Sequence, residues 1–410
     1  MDVLKLLRLL VIYVVLLGIE RVVPIDALKS LANAVAVAIP LILVVDYLLS
    51  TRPMLIPAPV AAAIALVVVA LAGSWAVNGI ANVADFTKIL LLPVFVLLGF
   101  NAAVFDRSDP EQIATLKRLS AVLLAVPLGL LAVNDWLPAD DPSVISIFAN
   151  RNNAGLYMVG LANVLFLLGV RLSYIVAFLG AVALMFSTLG VLLAVVLALV
   201  FSLSLRRYAG LYLLVSVAAI ALATALPELT IFKRVSEVFE NIGAVTQAGL
   251  WTELDRMSYR DLYLLTGSST DLSLFFRIKH WQDLWAAYVA SDWSSLLFGL
   301  GVGASVYHTD LGLVPHNDYL RFMVETGPLG FAGFTMLTLY LVARIGRRAF
   351  VISTAAVALY FMSDNLINNF PAMAMYYFFA GYWMQHADAT AEADAGGTEL
   401  LDPDAETTTA

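Results

Sequence analysis

The sequence predicts an all-α polytopic membrane protein of about twelve transmembrane helices, with a long outer loop between the ninth and the tenth. Three observations carry that expectation. The 410 residues are 61% hydrophobic and only 13% charged, where soluble domains average about half apolar and about a quarter charged. Apolar runs of about 20 residues, the length that crosses a hydrocarbon core of about 30 Å, recur along the chain. Basic residues gather in alternate connections between those runs, the positive-inside pattern. Cysteine is absent, which excludes a disulfide framework and thiolate metal sites.

The first run, 3–20, has the length of a signal peptide. The small residues of "ANAVAVA" (32–38) lie inside the next run, however, so a retained helix is expected. Runs at 31–49, 56–77, 87–105, 117–136 and 153–170 follow, each long enough to cross. The stretch 172–205 is too long for one helix and divides into 172–188 and 189–205, with "STLG" (187–190) as a tight turn. A run at 208–226 completes a first block, 1–226. Residues 227–316 are far longer than an ordinary connection, hence functional or disordered. Trp251, Tyr259, Tyr263, Phe275, Phe276, Trp281, Trp285, Tyr288 and Trp293 supply burial there, so several amphipathic helices near the membrane face are expected. Runs at 317–343, 349–366 and 370–386 make the block 317–386. Residues 387–410 hold seven acidic side chains and no Lys or Arg, most of the net charge of −8, and read as a disordered, solvated tail.

Orientation follows from charge. With the N-terminus inside, the cytoplasmic segments hold Lys5, Arg8, Arg52, Arg107, Lys117, Arg118, Arg171, Arg206, Arg207, Arg344, Arg347 and Arg348. The short outer loops hold Arg21, Lys29, Lys88 and Arg151. Both termini are therefore expected in the cytoplasm and 227–316 outside it.

Polar side chains gather on that outer face. In "FFRIKHWQDLWAAY" (275–288), Arg277, Trp281, Leu284 and Tyr288 share one helical face. An arginine fork beside an aromatic shelf suits a pyrophosphate and a sugar ring. The same spacing suits an interfacial helix with Arg277 reaching lipid phosphate, and spacing alone favours that reading. "FGLGVGASVYH" (298–308) has glycines able to approach an anion, but no P-loop lysine follows, and a bend is expected. In "VPHNDYLRFMVETG" (314–327), Asp318, Arg321 and Glu325 are spaced to pair along one helix flank. His316 has no sequence-local partner. It is either a base for a hydroxyl proton or a helix-start histidine wetted by headgroup water. "FANRNNAG" (148–155) places Asn150, Arg151, Asn152 and Asn153 at a helix start, and "SDNLINNFP" (363–371) places Asp364, Asn365, Asn368 and Asn369 near the last pair of spans. Either cluster can cap helices. Two on one face favour a polar cavity. No HExxH or GxSxG motif is present, and the four histidines form no metal-ligand pair at helical spacing.

Taken together, "PHNDYLRFMVETGPLGFAGF" (315–334), "RIKHW", "LLFGLGVG", "FANRNNAGLY" and "SDNLI" resemble the signature of the O-antigen ligase and O-antigen or exopolysaccharide polymerase superfamily, over residues about 145 to 385. The resemblance implies a GT-C-class, metal-independent glycosyltransferase of the bacterial inner membrane, without a cofactor. It would transfer a glycan from undecaprenyl pyrophosphate to an acceptor hydroxyl at the periplasmic face. The acceptor is another glycan for a polymerase, the favoured activity, or lipid A core for a ligase. Membrane lipid and polysaccharide-assembly proteins are its further expected partners, and nucleic acid is not. Carried over by position, His316 is the acceptor-activating base and Arg277 a pyrophosphate-binding cation. Asn150, Arg151, Lys279, Trp281, Asn317, Arg321, Asp364 and Asn365 are expected to bind substrate. One departure stands out: where the family often has a second arginine, this chain has Leu189, and Arg151 or Lys279 is expected to substitute.

The alternative class is a polytopic transporter or lipid flippase. Such proteins carry charged or broken helices near the midplane. Here Asp46 is the main midspan ionisable residue, and the polar groups collect at one face.

Overall fold

Side-chain caps begin many of the helices. In the computed structural model, Asp2 accepts from Lys5 N and opens α1 (Val3–Val22), and α2 (Asp26–Leu49) follows. Pro57 and Pro59 bracket the start of α3 (Ala58–Asn78), where a missing N–H costs nothing. Asn82 caps α4 (Val83–Phe100), and Asp109 with Pro110 at the first position opens α5 (Pro110–Ala132). Asn150 caps α6 (Arg151–Leu167). Helices α7 (Leu172–Met185) and α8 (Leu189–Ser202) divide at the expected turn. The long connection holds α9 (Thr230–Gln247), α10 (Tyr259–Leu265), α11 (Ser273–Val289) and α12 (Trp293–Phe298). The chain ends with α13 (Asp318–Ile345), α14 (Val351–Tyr360) and α15 (Phe370–Gly396).

The described residues are 2–50, 53–137, 144–186, 188–202, scattered positions between 210 and 225, 230–247, 249, 251, 253–254, 256–265, 273–345, 351–367 and 369–396. Among them the fold is all-helical, without strands. The expected run at 208–226 falls largely outside them, as does Asn368. Every other expected run coincides with a helix, and among the described residues five helices (α2, α3, α4, α5 and α13) are long and apolar enough to cross a membrane. The run expected at 349–366 ends early: α14 stops at Tyr360, and in the irregular segment 361–367 the N–H groups of Asn365, Leu366 and Ile367 bond to Asp364 and Asp318. At the far end α15 runs on to Gly396, since "ATAEADA" is rich in good helix formers.

The exterior is apolar. Leu48, Leu49, Ile12, Val69, Leu193 and Leu339 are all exposed, a surface that lipid accepts and water does not. Several such helices make the chain a multi-pass membrane protein in outline. One core cluster draws residues from α1 to α8 and from α13, α14 and α15, among them Leu6, Leu10, Phe378 and Trp383.

Polar contacts define two ends. At one, Arg107 donates to the last carbonyls of α6, Phe105 N donates to Tyr382 Oη, and His386 meets Ala102 O. At the other lie the C-termini of α3 and α14 and the N-termini of α4, α6, α13 and α15, with α11 and α12 laid against them. Asn163 lies between: its Oδ1 accepts from Ser353 and from Trp383 and joins α6, α14 and α15.

Helices α4 and α15 meet backbone to backbone. A Cβ at Gly99 would stand 1.9 Å from Phe378 O, and one at Gly381 would stand 2.2 Å from Val96 O. Gly99→Ala and Gly381→Ala are each expected to cost about 1–3 kcal/mol, the scale of overpacking, and to lower the melting temperature in detergent. Gly129→Ala in α5, where a Cβ meets nothing within 4 Å, serves as the control and should hold or raise it. Equal melting of all three would show that α4 and α15 do not touch as described.

Candidate functional site

Helix α13 is broken. Gly327 has φ +70 and ψ −174, and Pro328 follows, so Asp318–Thr326 forms a short half-helix. A break orphans the carbonyls of the preceding turn. The glycine-rich segment fills the gap: Leu300 N donates to Val324 O at 2.7 Å and Gly301 N to Glu325 O at 3.2 Å, while Ser74 Oγ donates to Glu325 O at 3.0 Å. The two segments pack so closely that neither Gly299, against the backbone of Glu325 and Thr326, nor Gly327, against that of Leu297, has room for a Cβ. The glycines of 299–303 thus cap a helix, which is a fuller role than the expected bend.

Below the cap lies a buried ion network. Arg321, 1% exposed, donates to Asp85 Oδ2 at 2.6 Å and to Glu325 Oε2 at 3.1 Å. Glu325 also accepts from Gly303 N and Ser305 Oγ. The pairing expected along one flank holds for Arg321 and Glu325, but Asp318 turns away. Its Oδ2 accepts from Leu366 N at 2.6 Å and Ile367 N at 3.3 Å, and its own N–H donates to Phe361 O at 2.7 Å. Arg321, expected to bind substrate, ties α4 to α13.

At the head of the half-helix, Asn317 caps α13 through Leu320 N. His316, immediately before it, has φ +50, a left-handed conformation rare outside glycine. Its Nδ1 stands 3.0 Å from Asp364 Oδ1, and the imidazole remains 31% exposed. Burial alone would raise the Asp364 carboxyl. The hydrogen bond from His316, the charges of His316 and Arg277, and Asn365 N outweigh it and hold the carboxyl below its usual range. An ionised Asp364 accepts the hydrogen bond of Nδ1–H and leaves Nε2 as the acceptor.

Arg277 lies on α11 within the electrostatic reach of Asp364 and Tyr360. It is half-buried and forms no hydrogen bond or ion pair among the described residues. Its neighbours have other work. Lys279 bonds Asp283 at 3.0 Å and lies over the Tyr259 ring. His280 Nε2 is 3.0 Å from Leu313 O, and Trp281 donates its indole N–H to Pro315 O. Asn150 and Arg151 open α6, Asn150 as its cap and Arg151 exposed. Asn369 Nδ2 donates to Asn153 O, so the two asparagine clusters bond α15 to α6. Asn365 is buried, with its side-chain oxygen unbonded among the described residues. Leu189 is the first residue of α8.

Beside Asn317 opens an apolar cavity of about 770 Å³ between α8, α13 and α14, lined by Leu197, Leu320, Phe331, Leu339 and Met362 among others. Leu197, Leu339 and Met362 are exposed, so it opens sideways through the apolar belt. No group of His, Asp and Glu suited to a metal ion occurs among the described residues. The site thus joins a carboxylate-braced imidazole, a guanidinium with no direct partner among the described residues and a lipid-side cavity. Sequence reasoning missed Asp85, the Asn163 network and the pairing of His316 with Asp364. No protein-family model matches the chain, and no curated protein matches it.

Proposed function

We propose that the chain is a metal-independent membrane glycosyltransferase, a polysaccharide polymerase that joins undecaprenyl-pyrophosphate-linked glycans at the periplasmic face of the bacterial inner membrane. The single observation that carries this reading is His316 bonded to buried Asp364 beside Arg277. The imidazole Nε2 takes the proton of the acceptor hydroxyl, whose oxygen attacks the anomeric carbon of the donor. The bond from that carbon to the pyrophosphate oxygen breaks, and undecaprenyl pyrophosphate leaves with the electron pair. Asp364 balances the imidazolium that forms. A pyrophosphate leaving group needs positive charge more than a proton, and Arg277 supplies it. The sideways-opening cavity beside Asn317 accepts part of an isoprenoid chain from the bilayer. With the site end periplasmic, both termini lie in the cytoplasm.

The broken α13 is the feature that favours a transporter. In transporters the freed backbone groups face an aqueous cavity. Here Leu300, Gly301 and Ser74 occupy the Val324 and Glu325 carbonyls, which leaves neither of the two for a transported ion.

The test is the full-length protein in liposomes with an undecaprenyl-pyrophosphate-linked oligosaccharide, read as glycan length on gels. Lengthening of the lipid-linked glycan is expected. Arg277→Ala should weaken donor binding about 10–100-fold, the scale of a lost charge-assisted hydrogen bond, and lower the rate as well. Arg277→Lys should rescue only in part, because the planar fork is lost. Donor binding unchanged in Arg277→Ala would remove the pyrophosphate assignment.

A further inference from the structure

Within little more than one turn, α11 carries Arg277, His280 and Trp281. The last two reach the segment that delivers His316. His280 Nε2 meets the Leu313 carbonyl at 3.0 Å, and the Trp281 indole meets the Pro315 carbonyl. His280 Nδ1 is buried without a partner among the described residues, so Nε2 carries the hydrogen and donates. Burial lowers the basicity of His280 further, which keeps it in that neutral form.

The segment needs such support. Residues 312–315 have no regular structure, and His316 at φ +50 is one of two left-handed non-glycine residues among those described. A residue in that region persists where its surroundings over-determine it. On one side the irregular segment 361–367 provides this: Asp318 N bonds Phe361 O, Asp318 accepts from Leu366 and Ile367, and Asp364 holds the imidazole. On the other side stand the two α11 donors. The helix itself is anchored elsewhere, through Phe275 against Val245, Leu254 and Leu262 and through Leu284 and Tyr288 against Leu300 and Val324.

We propose that Trp281 and His280 are positioning residues: by donating to the Pro315 and Leu313 carbonyls they hold His316 in its left-handed conformation against Asp364, and so fix the base to the helix that carries the pyrophosphate-binding cation. The catalytic consequence rests on the glycosyl-transfer reading, whereas the geometric claim stands apart from it. Trp281 is in this account a donor through its N–H, in place of the sugar-stacking shelf that its spacing suggests.

Hydrogen exchange of the full chain in lipid nanodiscs tests the geometry, read on the peptide 311–320, whose Asp318 amide is held by Phe361 O. Trp281→Phe keeps a ring and removes the N–H, and His280→Leu removes the second donor. Each is expected to speed exchange there about fivefold, the scale of one lost hydrogen bond, and to leave the α15 peptides unchanged. His280→Gln, whose amide N–H reaches about where Nε2 stands, should exchange like the parent. Unchanged exchange in both Trp281→Phe and His280→Leu overturns the proposal. So does equal loss in His280→Gln and His280→Leu. Glycan transfer in the same samples should show turnover about tenfold lower in Trp281→Phe with donor affinity unchanged. A parallel loss of donor affinity would return Trp281 to the substrate shelf. If the parent protein transfers no glycan, the functional reading fails, and the exchange result still decides the positioning.

Discussion

Arg321→Ala is expected to cost about 3–5 kcal/mol and to leave most of the protein misfolded, because it strands buried carboxylates. Arg321 is 1% exposed and is held between Asp85 on α4 and Glu325 on α13. Once the guanidinium is gone, Asp85 keeps a longer contact of 3.6 Å with Lys88, and Glu325 keeps Gly303 N and Ser305 Oγ. The Lys88 contact offsets the Asp85 charge only in part, and the donors left to Glu325 are neutral. Arg321→Lys should recover little, since one ammonium on a flexible stem replaces a fork that reaches two helices. The combination Asp85→Asn, Arg321→Met, Glu325→Gln removes all three charges together. It should regain much of the lost stability, because replacing a whole buried ion cluster is often neutral where breaking one is not. The measurement is the monodisperse fraction and melting temperature in detergent. A well-folded Arg321→Ala protein with selectively weakened donor binding would restore Arg321 to the substrate site.

This case shows where the sequence is informative. Spacing of four placed Arg321 beside Glu325 correctly, since local helical geometry is all that pair requires. It could not show that Asp318 bonds backbone 48 positions away, or that Asp85 reaches Arg321 from 236 positions away. His316 looked unpartnered for the same reason, as Asp364 also lies 48 positions on, in a cluster that had been noticed for its amides. The glycine-rich segment was unreadable until the break at Gly327 gave it carbonyls to cap. Lys279 is the opposite case. Its partner Asp283 stands at i+4 on the same helix, so its pairing was legible and passed over. Apolar periodicity placed the helices well and their ends poorly, most visibly at Tyr360, where polar side chains of other elements take over the backbone.

His316→Ala is expected to lower turnover by about 100-fold or more, the scale of a lost general base, with the lipid-linked donor still bound. The imidazole acts on the acceptor proton, which is in flight only in the transition state, so ground-state binding has little reason to change. Asp364→Asn should fall between that variant and the parent, because an amide can brace the ring but cannot balance its charge. Asp364 is held below the usual carboxylate range, so it stays ionised across the neutral range. Its contribution to stability is present above the unfolded carboxylate pKa and is lost only as pH falls through the lowered folded one. The Asp364 brace is therefore expected to persist from about pH 5 to 8, and the rate deficit of Asp364→Asn should be the same across that range while maximal donor binding holds. Reconstituted membranes with a defined donor, assayed from about pH 5 to 8, supply both readings. A fully active His316→Ala protein would eliminate the base and leave a helix-start histidine, held in a left-handed conformation by Asp364 for structural reasons alone.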